Sequence, residues 1–303
     1  MAIVGAVYLV ISFGSLFYCL YKACKGKEIE KLGILMVLFC SGITMFSFDR
    51  ANTIIISTAL NCVFFLTYNS DKKYLKHIGF ICLAISAALK LFPALFGVLL
   101  LYKRRYKDAL FAIFYGLTIA LLPCLWVEGK VMDNNRAFIY AVKSHTELYA
   151  GGSLGLSANM FFKEKSLNNG ILPIIICFFT VIVAKSVKNE WKQILLLSLA
   201  IILTSGQQAW YCLLAIFYPI VLFLNESDSD KKINWVFLVG FIIILSPLQF
   251  NYTVGGLVFT SRRVINTVCV FMYIYLVIES GITFIKDCRQ TIMTNKKIKG
   301  SPA

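Results

Sequence analysis

The polar residues that interrupt this chain's apolar runs are few enough to take one at a time. Asp49, Arg50 and Asn52 share one tetrapeptide, Asp-Arg-Ala-Asn, between two stretches dominated by Ile, Phe and Leu. A carboxylate there can orient or deprotonate a hydroxyl, a guanidinium can grip a phosphate, and an asparagine ahead of an apolar run can start a helix. Lys90 stands alone in ICLAISAALKLFPALFGVLLL, just before Pro93, and its ammonium offers a point charge for a phosphate. The same residues also suit plainer roles, an interfacial turn with an Asp–Arg ion pair and a lysine snorkelling to the bilayer edge.

Two further segments carry chemistry-capable side chains. In SHTELYAGGSLGLSANMFF (144–162), His145 precedes Glu147 by two positions, and Ser157 and Asn159 follow a pliable stretch containing Gly151, Gly152 and Gly155. His145 and Glu147 suit proton handling or an ordinary surface turn, and Ser157 and Asn159 suit hydrogen bonds to sugar hydroxyls. In TSGQQAWYCLLAIFYPIV, Gln207, Gln208, Trp210 and Tyr211 are neighbours. Amides beside aromatics fit a saccharide site, and they fit an interfacial aromatic belt equally well.

The elements that must hold these residues are membrane helices. Of 303 residues 59% are hydrophobic and 15% charged, outside the range of soluble domains. Spanning a hydrocarbon core takes about 20 apolar residues, and such windows recur near 2–22, 32–48, 53–69, 78–90, 92–102, 108–126, 170–187, 192–204, 207–225, 234–248 and 265–285. The expectation is an all-α, polytopic transmembrane bundle of about 10–11 spans, forming a single membrane domain over 1–285 with an outer loop at 127–169 and a basic cytoplasmic tail at 286–303. The cysteines fall mostly inside the apolar segments as small fillers, and no Cys/His metal spacing occurs, so no metal or cofactor is expected.

Charge decides how the chain threads. The net charge of +15 does not cluster on a soluble face, so nucleic acid is not the expected partner. If 78–102 is a short helical hairpin with Pro93 near its apex, 21 of the 30 Lys and Arg fall in loops on one side. A single kinked helix would scatter them. The hairpin is therefore expected, with the basic side cytoplasmic, the N-terminus outside and the C-terminus inside the plasma (inner) membrane. The basic tail is expected to touch anionic membrane lipids.

The stretch from Phe48 to Leu110 resembles glycosyltransferase family 87, the polyprenyl-phosphate-mannose-dependent mannosyltransferases of the GT-C superfamily. In that family an Asp-Arg-Gly-Asn motif begins a helix, a basic loop follows, and an apolar segment ends in Lys, an apolar or aromatic residue, and Pro. Here the pattern reads Asp49-Arg50-Ala51-Asn52, with Ala51 in the glycine position, and Lys90-Leu91-Phe92-Pro93. The segment around Gln208 and Trp210 is more weakly similar to a later family segment.

The resemblance implies a GT-C-like fold and an inverting transfer of a hexose, mannose above all, from a polyprenyl-phosphate-sugar donor. The acceptor would be a lipid- or glycan-linked hydroxyl on the extracytoplasmic face. Arg50 and Lys90 would bind the donor phosphate, Asn52 would set the helix start, and the polar residues of 127–169 with Gln208 and Trp210 would meet the sugar or acceptor. Family members usually begin with a further helix and an outer loop bearing an acidic base, and this sequence is expected to lack both. Among the outer acids Asp49, Asp133 and Glu147, the first lies in the matched motif and is the candidate base. A transporter or flippase for a glycolipid or polyprenyl-linked intermediate, and a non-catalytic membrane subunit, are the alternative readings. A transporter is expected to show an internal repeat with polar residues at the bilayer midplane, and no repeat is evident.

Overall fold

The computed structural model describes residues 2–49, 51–150, 171–204, 210–226, 234–248, 250–254 and 257–299. It is an all-α polytopic bundle. The first half comprises α1 (Ala2–Ala23), α2 (Glu28–Phe39), α3 (Gly42–Asp49), α4 (Ile54–Thr67) and α5 (Lys73–Leu89). A 3₁₀ turn (Phe92–Gly97) then runs into α6 (Val98–Tyr102), followed by α7 (Tyr106–Trp126). The second half holds α8 (Val131–Ala150), α9 (Ile171–Ala184), α10 (Glu190–Thr204), a 3₁₀ segment (Trp210–Ile216) leading into α11 (Phe217–Glu226), α12 (Trp235–Leu245) and α13 (Ser261–Lys299).

Among the described residues, Ile3–Ala23, Tyr106–Pro123 and Arg263–Ile285 are each long and apolar enough to cross a bilayer alone, and α2 with α3 makes a broken fourth. That break bends the chain by 58°. Its cause is local. The hydroxyls of Ser41 and Thr44 both donate to the carbonyl of Leu38, at 2.6 and 2.8 Å, and so compete with the helix's own bonds.

The expected hairpin forms, with Lys90 at its apex. Gly97, seven residues past Lys90, lies against Leu83, seven before it, so closely that a Cβ on the glycine would sit 3.7 Å from a Leu83 methyl carbon. Pro93 falls in the first turn of the 3₁₀ segment, where its missing N–H costs nothing. Phe96 on the returning arm packs edge-on against Phe65 of α4, ring centroids 4.9 Å apart.

The returning arm ends beside the start of the outgoing one. Lys103 Nζ donates to the Tyr68 hydroxyl at 3.0 Å, Arg105 donates to the Tyr68 carbonyl, and the Tyr68 hydroxyl donates to Glu190. Burial lowers the Lys103 ammonium below the ordinary lysine range, Glu190 opposes the shift and Arg105 adds to it. Asn189 reaches Glu226 at 3.1 Å, and Asn225 exchanges hydrogen bonds of 2.8 Å with the backbone of Ala23 and Lys25. The turns after α1, α4, α6, α9 and α11 are thus joined at one end of the bundle. This is the clustering of basic loops that the charge distribution requires.

Three segments differ in local structure from the sequence reading. Within 127–169, residues Val131–Ala150 are helical, following a turn at Gly129 with φ of 114°. This helix mixes polar and apolar residues, so hydropathy alone did not mark it. The connection at 249–264 contains an antiparallel ribbon pairing Asn251 with Thr260 and Tyr252 with Phe259. Residues 286–299 of the basic tail continue α13 as one helix to Lys299. Backbone hydrogen bonds run on past the point where apolar side chains stop.

Candidate functional site

Helices α4 and α5 are antiparallel neighbours, and their contacts establish which residues share an end. The hydroxyls of Ser57 and Ser86 are 2.7 Å apart, and Ser86 also donates to the Ser57 carbonyl at 3.0 Å. Toward the basic end Gly79 lies against Thr67 and the backbone of Phe64. Moving the other way, α4 begins at Ile54 just after Asn52, and α5 ends at Leu89 just before Lys90. Asn52 and Lys90 therefore stand at the same end, opposite the cluster around Tyr68.

The tetrapeptide itself is built as a tight corner. α3 ends at Asp49, and the Ala51 amide donates back to the Phe48 carbonyl at 3.0 Å. Ala51 takes a left-handed φ of 43°, at the position where the motif ordinarily carries glycine. The Asn52 side-chain oxygen then accepts the Ile54 amide at 3.0 Å and its carbonyl accepts the Ile55 amide at 3.1 Å, which launches α4. The Tyr8 hydroxyl of α1 donates to that same Asn52 carbonyl at 3.1 Å. Asp49 is exposed, and Arg50 lies outside the described residues.

Lys90 closes α5, its amide donating to the Ser86 carbonyl at 2.9 Å. The side chain is half-buried and its ammonium lies 6.0 Å from the ring centroid of Tyr211. Tyr211 in turn stacks on Phe46 of α3, centroids 6.2 Å apart and planes inclined by 19°. Phe46 is three residues before Asp49, close to one helical turn. The Phe46–Tyr211–Lys90 contacts thus link the helix that leads to the tetrapeptide with the apex of the hairpin.

Of the other residues singled out in the sequence, His145 and Glu147 belong to the backbone of α8, their side chains being outside the described part. Trp210 opens the 3₁₀ segment before α11, with its side chain likewise undescribed. Ser157, Asn159 and Gln208 lie outside the described residues altogether. Tyr8, Phe46 and the Ser57–Ser86 pair were not among the expected site residues. Serines inside apolar helices are a signal that could have been read, since each needs a partner in hydrocarbon. Nothing in the sequence near Phe46 distinguishes it from two dozen other phenylalanines.

What the arrangement can do chemically follows from its charges. A half-buried ammonium 6.0 Å from an aromatic ring that stacks on the helix leading to an exposed carboxylate, at one end of an apolar bundle, suits an anionic group. The family model for glycosyltransferase family 87 matches residues 1–216, a span that contains the tetrapeptide, the hairpin and Tyr211. Comparison with curated proteins and with solved structures gave no significant match. With the match covering well over half of the chain, this integral membrane protein belongs to glycosyltransferase family 87.

Proposed function

We propose that the chain transfers a hexose, mannose in the first instance, from a polyprenyl-phosphate-sugar donor to a lipid- or glycan-linked hydroxyl. The reading is carried by one observation, the shared end of Asn52 and Lys90 on adjacent antiparallel helices, away from the basic turns. Under the positive-inside rule those turns are cytoplasmic, so the site opens to the extracytoplasmic face, the N-terminus lies outside and α13 ends in the cytoplasm of a plasma (inner) membrane protein.

In the reaction, the acceptor oxygen attacks the anomeric carbon, the bond from that carbon to the donor phosphate oxygen breaks, and polyprenyl phosphate leaves. The acceptor proton passes to a carboxylate, for which Asp49 is the candidate. Lys90 and Arg50 hold the phosphate and stabilise the negative charge that grows on it as it departs. Asn52 keeps the corner in shape through its bonds to Ile54 and Tyr8. His145, Glu147, Ser157, Asn159, Gln208 and Trp210 are assigned to the sugar and acceptor.

The test is transfer of radiolabelled mannose from a polyprenyl-phosphate-mannose donor by the purified protein in vesicles. The wild type transfers label, and Lys90→Ala abolishes transfer while the protein still inserts. Full activity in the substituted protein would remove Lys90 from the site. Movement of the lipid from one leaflet of the vesicle membrane to the other without sugar transfer would replace the transferase with a transporter.

A further inference from the structure

Helix α1 meets the tetrapeptide from both sides. Its Phe13 ring lies 5.5 Å from that of Phe48, the residue before Asp49, and its Tyr8 hydroxyl donates to the Asn52 carbonyl at 3.1 Å. The two side chains stand about 7.5 Å apart along α1 at the rise of an α-helix. Tyrosines at the ends of membrane helices ordinarily turn their hydroxyls to the headgroups. Tyr8 is half-buried and turns its hydroxyl to a backbone carbonyl instead.

That carbonyl is where the corner would otherwise give way. Ala51, just before Asn52, is held at a φ of 43°, a left-handed conformation that an L-residue leaves for ordinary ones when nothing opposes it. The Asn52 carbonyl already accepts the Ile55 amide at 3.1 Å and has a second lone pair for Tyr8. A hydrogen bond and this backbone strain are comparable in size, so the one can offset the other. The corner's other bonds, from the Ala51 amide to Phe48 and from the Ile54 amide to Asn52, lie within the segment itself. Tyr8 ties it to a second helix.

We infer that Tyr8 is a positioning residue for Asp49: it holds the Ala51–Asn52 corner against its strain and so fixes where the carboxylate just ahead of that corner stands. The inference rests on the transferase reading above and adds what aims its candidate base. Misplacing a reacting group by about 1 Å can cost on the order of a hundredfold in rate. A corner that keeps its native shape only part of the time loses rate in proportion to that fraction. Lys90, held at Tyr211 by a separate contact, stays where it was.

The experiment measures mannose transfer from polyprenyl-phosphate-mannose in vesicles by wild type, Tyr8→Phe, Ala51→Gly and the double variant, well below their unfolding midpoints. Tyr8→Phe removes one oxygen from a half-buried site and leaves the ring's packing intact. The expected result is a kcat about fivefold to tenfold lower in Tyr8→Phe, with the donor KM within about twofold of wild type. Ala51→Gly removes the strain, so the double variant should return to within about twofold of the wild-type kcat. Gly79→Ala, which weakens the α4–α5 contact at its far end, should lose stability and keep its kcat. An unchanged kcat in Tyr8→Phe, a change confined to KM, or no recovery in the double variant overturns the inference. So does an equal loss of kcat in Gly79→Ala, which would show a general effect of stability.

Absence of transfer in the wild type would instead count against the donor reading, and the corner is then judged by hydrogen exchange. Tyr8→Phe should speed exchange of the Ala51, Ile54 and Ile55 amides several-fold, and adding Ala51→Gly should slow it again. Exchange at those amides that is unchanged by Tyr8→Phe, or that rises equally along all of α4, sinks the inference.

Discussion

The ammonium of Lys90 lies 6.0 Å from the ring centroid of Tyr211, a residue more than a hundred positions later in the chain. The attraction of a partly desolvated cation for an aromatic face is worth about 1–2 kcal/mol, enough to hold a lysine that would otherwise sample many rotamers. It orients the charge and leaves it available to an anion on the other side.

If Lys90 binds the donor phosphate, Tyr211→Leu should raise KM for the donor about fivefold to tenfold with a smaller effect on kcat, since the interaction is worth about 1 kcal/mol or slightly more. Tyr211→Phe keeps the ring and should stay within about twofold of wild type. A KM split between these two substitutions identifies the ring as what positions the lysine. Equal effects would point to the hydroxyl.

Ala51 adopts a φ of 43°, a region that costs an L-residue roughly 1 kcal/mol and a glycine nothing. Ala51→Gly should therefore stabilise the protein by about 0.5–1 kcal/mol and raise its midpoint of thermal unfolding in detergent. Ala51→Val should lower it, because a β-branched residue fits that region worst.

The Ser57–Ser86 pair ties α4 to α5 inside the bundle, both residues fully buried. Ser86→Ala strips Ser57 of its cross-helix partner, with an expected loss of about 1 kcal/mol. The double substitution of both serines by alanine should recover most of that loss, because no buried hydroxyl is then left without its partner. A double-mutant cycle on unfolding midpoints gives the coupling directly.

Gly79 permits the close contact of the same two helices. A Cβ there would lie 2.3 Å from Thr67 Oγ1, an atom already fixed by its 2.7 Å bond to the Val63 carbonyl. Gly79→Ala should destabilise by about 1–3 kcal/mol through overpacking. Adding Thr67→Ala removes the obstructing oxygen and should restore most of the stability, as read by thermal unfolding.

Much of the bundle was legible in the residues themselves. Among the described residues the apolar windows are helical, some as one helix and some broken by a bend or a 3₁₀ turn, because backbone groups in hydrocarbon must pair within their own segment. The hairpin was legible from charge, since only a turn at Lys90 puts the loops around Lys72 and Arg105 on one side. The helix at Val131–Ala150 was not, because its mixed composition gives no apolar window and its helicity is a matter of backbone bonding. The role of Asn52 in starting α4 was readable from its place before an apolar run, whereas the Tyr8 hydroxyl on its carbonyl was not.

The sequence by itself determined that this is a bundle of membrane helices with most of its cations in the loops between apolar runs, because hydropathy and charge act locally and along the chain. It also marked Lys90 as anomalous, a charge in an apolar run. Only the tertiary structure decided which aromatic ring faces that charge and that α1 meets the tetrapeptide from both sides. Those outcomes depend on the pairing and register of helices far apart in sequence. Register is set by side-chain fit at close contacts such as Gly79 on Thr67, and no single segment carries that information.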